Sequence, residues 1–156
     1  MERSIKRSEE DITKLLIKWL IDNQWRIVCY DFPHSGTGRQ LHPNNTTSKT
    51  TGVIIPDIVA IKDGVVVYFE NKDRFVFSDL EKVYKLKNTN DYSEDWDKLL
   101  SRYSYQHFYY GIGIPYTPHN LQKTIEHIEY VDFAALLKND GSIYFIGEMA
   151  NHIENH

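Results

Sequence analysis

At 156 residues the chain is long enough to bury a core without disulfides or metal staples, and its length suits one domain spanning residues 1–156. A formal net charge of −4 excludes a protein that coats nucleic acid through a high overall positive charge, and no run of about eighteen apolar residues could span a bilayer. The single cysteine, Cys29, excludes a disulfide framework and any CxxC site; with a charged opening stretch that lacks an apolar signal region, this points to a cytoplasmic protein.

Ser8 is placed to cap a helix whose first turn carries Glu9, Glu10 and Asp11, acids favoured at the positive end of a helix dipole. Ile12, Leu15, Leu16, Trp19 and Leu20 recur at helical spacing and make one apolar face. Trp25 to Tyr30 reads as a first strand, with Cys29 packed in it. A loop of some twenty residues follows, from Pro33 to Gly52, a length that compact domains seldom carry unless it is functional or disordered. No acidic residue occurs from Phe32 to Pro56, while His34, Arg39, His42 and Lys49 lie there. Its Gly, Ser, Thr and Asn residues can bond phosphates and base edges, and Arg39 and Gln40 suit guanine and adenine respectively; a plain connector is the other reading.

Residues 56–72, PDIVAIKDGVVVYFENK, read as two strands folded back on each other. Ile58 to Ile61 and Val65 to Phe69 are β-branched and aromatic, and Asp63-Gly64 between them tolerates the positive φ of a two-residue hairpin turn. With Lys62 facing Val65, Ile61 faces Val66, Val59 faces Tyr68 and Asp57 faces Glu70. Side chains alternate across a pleated sheet, so Asp57, Glu70 and Lys72 share one face. Opposed carboxylates weaken a strand pair, a cost that a bound cation would reverse. Oxygen ligands alone suit a hard ion such as Mg²⁺, which takes one or two carboxylates and completes its shell with water and phosphate. Lys72 is then placed to hold a nucleophilic water or to offset charge developing on phosphorus.

Further on, Ser78-Asp79-Leu80-Glu81 has the pattern of a capping box, opening a helix with Leu80, Val83 and Tyr84 inward. Lys82, Lys85 and Lys87 decorate it, either as a solvated face or as phosphate contacts. Ser93 is expected to cap a second helix carrying Trp96, Leu99, Leu100 and Tyr103. His107 to Ile114 is a buried strand ended by Pro115, with Gly111 and Gly113 on one face where a helix can approach closely. Thr117-Pro118 starts another helix through Leu121, Ile125 and Ile128, and a last hairpin turns at Asn139-Asp140-Gly141 between Tyr130–Leu137 and Ser142–Ile146. The seven histidines have no HxH or HExxH spacing, which argues against zinc.

Pro56-Asp57, twelve intervening residues and then Glu70-Asn71-Lys72 resembles the PD-(D/E)XK nuclease motif. The resemblance implies that Asp57 and Glu70 bind Mg²⁺, with Mn²⁺ able to substitute, that Lys72 assists phosphodiester hydrolysis, and that products end in 5′-phosphate and 3′-hydroxyl. In many nucleases of this family an acid on the first helix reaches the metal site; Glu9 lies nearer the apolar face than Glu10 and is the candidate, although both acids also suit any helix N-terminus. The segment Ser35-Gly36-Thr37-Gly38 and the hairpin around IPDIVAIKDGVVV also resemble archaeal Holliday junction resolvases, a likeness that covers roughly the first seventy residues and makes Ser35 a candidate DNA contact. The loop is longer here, and the acidic balance departs from the broad basic face that a four-way junction favours.

The expectation is therefore an α/β (α+β) domain with a restriction-endonuclease-like core, a central mixed β-sheet flanked by helices. Its expected work is Mg²⁺-dependent endonucleolytic cleavage of DNA, foremost at a specific duplex site as in type II restriction. A junction-resolving or repair nuclease and a non-cleaving nucleic-acid-binding module are the alternatives. Ser35, Arg39, Gln40, Lys49, Lys82 and Lys85 are the candidate DNA contacts. A symmetric target calls for a homodimer, and neither a nucleotide cofactor nor a membrane is needed.

Overall fold

The computed structural model describes residues 6–44 and 52–156. Six strands form one mixed sheet in sequence order: β1 (Arg26–Tyr30), β2 (Ile58–Lys62), β3 (Val65–Asn71), β4 (His107–Pro115), β5 (Phe133–Leu137) and β6 (Ile143–Ile146). β1, β2 and β3 form an antiparallel meander, β4 and β5 add in parallel, and β6 returns antiparallel to β5. The turn between β2 and β3 has φ of 46° at Asp63 and 80° at Gly64, and Lys62 pairs with Val65, Ile61 with Val66 and Val59 with Tyr68 as expected from the dipeptide.

Helices cover both faces. On one, α1 (Glu9–Asp22) and α5 (Ala150–Glu154) bury Ile12, Leu16, Leu20 and Ile153 against Ile58, Val67, Phe69 and Phe133. On the other, α2 (Phe77–Asn88) and α3 (Ser93–Leu99) bury Leu80, Val83, Leu86 and Trp96 against Val59, Val66, Tyr68 and Ile112. A fourth helix, α4 (Pro118–Glu126), and a 3₁₀ turn at Ile128–Tyr130 carry the chain from β4 to β5. Among the described residues, no helix is long and apolar enough to cross a membrane.

α1 begins as its sequence requires: the Ser8 hydroxyl accepts the Asp11 N–H, and the Asp11 carboxylate accepts the Ser8 N–H, each at 3.1 Å. Thr117 caps α4 in the same way, accepting the Asn120 N–H at 3.0 Å. α2 does not follow its expected box. It starts before Ser78, with Val76 at the N-cap and no side chain bonding that end, so Ser78 lies already inside the first turn. Tyr84 is 47 % exposed rather than inward and lies against Tyr130. Ser93 is likewise the first residue of α3 and not its cap; its hydroxyl accepts the Asn44 side-chain amide instead, and the helix ends before Tyr103. Ile125 is 54 % exposed, and Ile128 belongs to the 3₁₀ turn rather than to α4. The short α5 carries no signal strong enough to be expected from its sequence.

The long segment after β1 is tied down at both ends. Leu41 and Ile54 exchange backbone hydrogen bonds of 2.8 and 3.0 Å, and both are buried. Asp95 accepts the His42 N–H at 2.7 Å, the Asn44 side chain bonds Asn90 and Ser93, and the Tyr92 hydroxyl donates to the Gly52 carbonyl. These contacts dock the segment on the connection between α2 and α3.

Candidate active site

The site lies where β2 begins and β3 ends, because the hairpin register brings the two ends together. The Asp57 carbonyl accepts the Asp31 N–H at 2.9 Å, which fixes Asp57 against the end of β1. Its carboxyl accepts the Asn71 N–H at 2.7 Å. Burial, and after it the Glu70 charge, raises Asp57 from its ordinary value to about 8. With no cation beside it, Asp57 therefore favours its protonated form, which lessens its repulsion with Glu70.

Glu70 lies on the same sheet face as Tyr68, two residues earlier. The Tyr68 hydroxyl donates to Glu70 Oε2 at 2.8 Å, and Lys82 Nζ from α2 lies 3.2 Å from Oε1 and 3.1 Å from Oε2. Glu70 is therefore held from the strand and from the helix above it. Its side chain is only 11 % exposed, so these partners compensate a charge largely removed from water.

Lys72 continues the ladder by donating its backbone N–H to Gly113 at 3.0 Å, while its ammonium reaches Glu9 on α1 at 3.2 Å. The hydrogen bond to Glu9 is the main cause that raises Lys72 above its ordinary value, so the side chain is firmly an ammonium. Of the two acids at the start of α1, Glu9 is the one that faces the site; Glu10 pairs with Lys14 along the helix. Between Glu70 and Lys72, Asn71 points to the opposite face and donates its side-chain amide to Thr13 of α1 at 3.0 Å. The alternation across Glu70, Asn71 and Lys72 thus spans both layers.

Asp79 is a site residue that the sequence reading missed. Its Oδ2 is buried without a hydrogen-bond partner, and burial raises its carboxyl while Lys72, Glu70, Lys82 and Glu9 all act on it electrostatically. Tyr68 was missed too. Two signals could have found them: Tyr68 shares the face of Glu70 by alternation, and Asp79 and Lys82 are three apart on the helix that follows β3.

The remaining expected contacts are dispersed. Ser35 bonds within its own turn, donating to Asp31 and accepting from the Phe32 and Thr37 backbone, so its hydroxyl is already engaged. Arg39, Gln40 and Lys85 are exposed. Lys82 does not belong to a solvated helix face, since it turns in to Glu70. Lys49 lies outside the described residues. An open cleft of about 530 Å³ runs beside the site, lined by Glu9, Glu10, His34, Lys72, Asp73 and Arg74 among others.

Among the described residues, no three His, Cys, Asp or Glu side chains converge as a complete metal-binding group. Asp57 and Glu70 offer what Mg²⁺ takes from proteins, one or two carboxylates with the rest of the shell left to water and phosphate. The group composition agrees: the carboxyl groups of Glu9, Asp57, Glu70 and Asp79 gather around the ammoniums of Lys72 and Lys82, one carboxyl oxygen is buried unpaired, and a cation can take the place of the proton that burial favours on Asp57. The residues present therefore fit a hard divalent cation. Comparison with protein-family models, with curated proteins and with solved structures found no match.

Proposed function

We propose that this protein is a Mg²⁺-dependent DNA endonuclease with a restriction-endonuclease-like core, cutting duplex DNA at a specific site in the cytoplasm. One observation carries the reading: Asp57, immediately before β2, accepts the Asn71 N–H beside Glu70 at the end of the paired strand β3, with Lys72 two residues beyond Glu70 and held by Glu9. The order of elements is in keeping with it, a helix, an antiparallel meander, helices and then a parallel fourth strand.

Mg²⁺, with Mn²⁺ able to replace it, would be held by Asp57 and Glu70 and would supply an activated water and positive charge at the phosphate. The protein's own residues do the rest. The Asn71 N–H orients Asp57, while the Tyr68 hydroxyl orients Glu70. Glu9 keeps Lys72 charged and directed, so that its ammonium can hold the attacking water or meet charge growing on the phosphorus. The adjoining cleft gives a phosphodiester backbone access to Lys72. Recognition falls to the acid-free segment after β1, with Arg39 and Gln40 exposed on it, and a symmetric target would engage two copies with one site per strand.

Linear duplex, supercoiled plasmid and a four-way junction, each incubated with Mg²⁺ and with EDTA, test the reading. Discrete bands from plasmid, lost in EDTA and in Asp57→Ala or Glu70→Ala, are expected. Symmetric cutting of the junction alone would replace restriction by junction resolution, and no metal-dependent cleavage of any substrate would remove the enzymatic reading.

A further inference from the structure

We infer that Lys82 is a built-in counter-ion for Glu70 which a divalent cation must displace, so that ammonium and metal compete for one carboxylate. This rests on the metal-site reading above. Lys82 Nζ lies within 3.1–3.2 Å of both Glu70 oxygens, a straddling position rather than an end-on contact. The other ammonium of the site does not share this duty, because Lys72 reaches Glu9 on the opposite helix layer. Glu70 is too nearly buried to stand uncompensated, so some cation must sit beside it whether or not a metal is present.

Lys82 also has somewhere to go. Its side chain is 38 % exposed, and a four-carbon stem lets the ammonium swing into solvent while the α2 backbone stays packed through Leu80 and Val83. A divalent ion binding Glu70 would bring a second positive centre within a few ångströms of the first, and the lysine is the one that can leave. The freed ammonium would then stand on a helix beside the site, where a substrate phosphate can take the place of Glu70 as its partner.

Calorimetric titration with Mn²⁺ alone, without DNA and at one fixed ionic strength, tests this on wild type, Lys82→Gln, Lys82→Arg and Glu70→Gln. Lys82→Gln should bind Mn²⁺ roughly tenfold more tightly, the size expected from losing one charge-assisted hydrogen bond as competitor. Lys82→Arg, which keeps the charge and can grip the carboxylate with two N–H groups, should bind no more tightly than wild type. Metal-free Lys82→Gln should also melt below wild type, with the gap closing as Mn²⁺ is added. Equal or weaker Mn²⁺ binding by Lys82→Gln overturns the competition while leaving the metal site standing. Binding that survives unchanged in Glu70→Gln, or no binding by either wild type or Lys82→Gln, overturns the metal-site reading and the competition with it.

Discussion

The Tyr68 hydroxyl donates to Glu70 Oε2 at 2.8 Å from two residues earlier on the same strand, so the phenol that packs inside the core against Trp96 and Tyr110 also aims the site's carboxylate. Core and candidate site share one side chain. Tyr68→Phe keeps the ring and its packing but releases Glu70 on one side. It should fold, and should lose on the order of tenfold to a hundredfold in cation affinity or cleavage rate, the usual effect of removing a partner that orients a metal ligand. Cleavage and Mn²⁺ titration at wild-type levels in Tyr68→Phe would show that Glu70 needs no orienting partner on its strand.

Asp57 makes stability depend on pH in a stated direction. Its folded value, raised from 3.8 to about 8, means that the native state holds the proton more tightly than the unfolded chain. The stabilisation this gives is full below the unfolded value and is lost as pH rises from about 4 to about 8. Asp57→Asn mimics the protonated form at every pH. Metal-free wild type should therefore lose melting temperature relative to Asp57→Asn across that interval, and parallel curves in the two proteins would refute the assignment.

The pairing of Glu9 with Lys72 predicts a shift in the basic limb of the rate–pH profile. Glu9 raises Lys72, so Glu9→Gln lowers it and the ammonium is lost at a lower pH. Cleavage by Glu9→Gln should fall off earlier on the alkaline side, with DNA binding retained. Lys72→Ala should bind DNA and metal yet cut poorly throughout. An unmoved alkaline limb in Glu9→Gln would mean that Lys72 titrates outside the observed step.

Gly113 lets Leu16 of α1 and Asn71 pack closely on the sheet. A Cβ there would stand 2.4 Å from Asn71 Oδ1 and 2.5 Å from Leu16 Cδ1. Gly113→Ala should cost about 1–3 kcal/mol of stability, as overpacking of a filled core does, and should disturb the Asn71 bond to Thr13. A denaturant melt with an unchanged midpoint would show that α1 yields at no cost.

For recognition, Arg39→Ala should relax sequence preference by up to about 1–3 kcal/mol at one base pair, while Lys49→Ala should weaken all sequences alike and flatten the salt dependence. Both need comparison at one salt concentration, because phosphate contacts alone move affinity by orders of magnitude. Identical cleavage patterns from wild type and Arg39→Ala would move the search to Gln40 and the α2 lysines.

Much of the site could be read before the fold was known, because strand alternation is a strict period. Once Asp63-Gly64 set the turn, the pairing from Lys62–Val65 to Val59–Tyr68 followed, and with it the approach of Asp57 to the end of β3. Ser8 and Thr117 were legible as caps for a similar reason, since a short polar side chain before an apolar period has one best use. Helix rotation was harder. Lys82 sits at the flank of the buried stripe formed by Leu80, Val83 and Leu86, and only the charge of Glu70 decides that it turns in rather than out. Ser93 reads as a cap by local pattern but serves Asn44, about fifty residues away in sequence, a demand that no local window contains. Tyr84 fails likewise: its ring lies half exposed against Tyr130, which arrives from beyond β4.

Asn71, the middle residue of Glu70-Asn71-Lys72, has a consequence for how freely this chain can vary. In a motif written with an arbitrary letter at that place, the position here is 2 % exposed, bonded to Thr13 and pressed toward Gly113. A library randomised at residue 71 and selected for folding should therefore return few survivors, small or amide-bearing, and a second library that also varies Thr13 and Gly113 should widen the permitted set. A residue outside the proposed chemistry would then set the tolerance of the pair assigned to it.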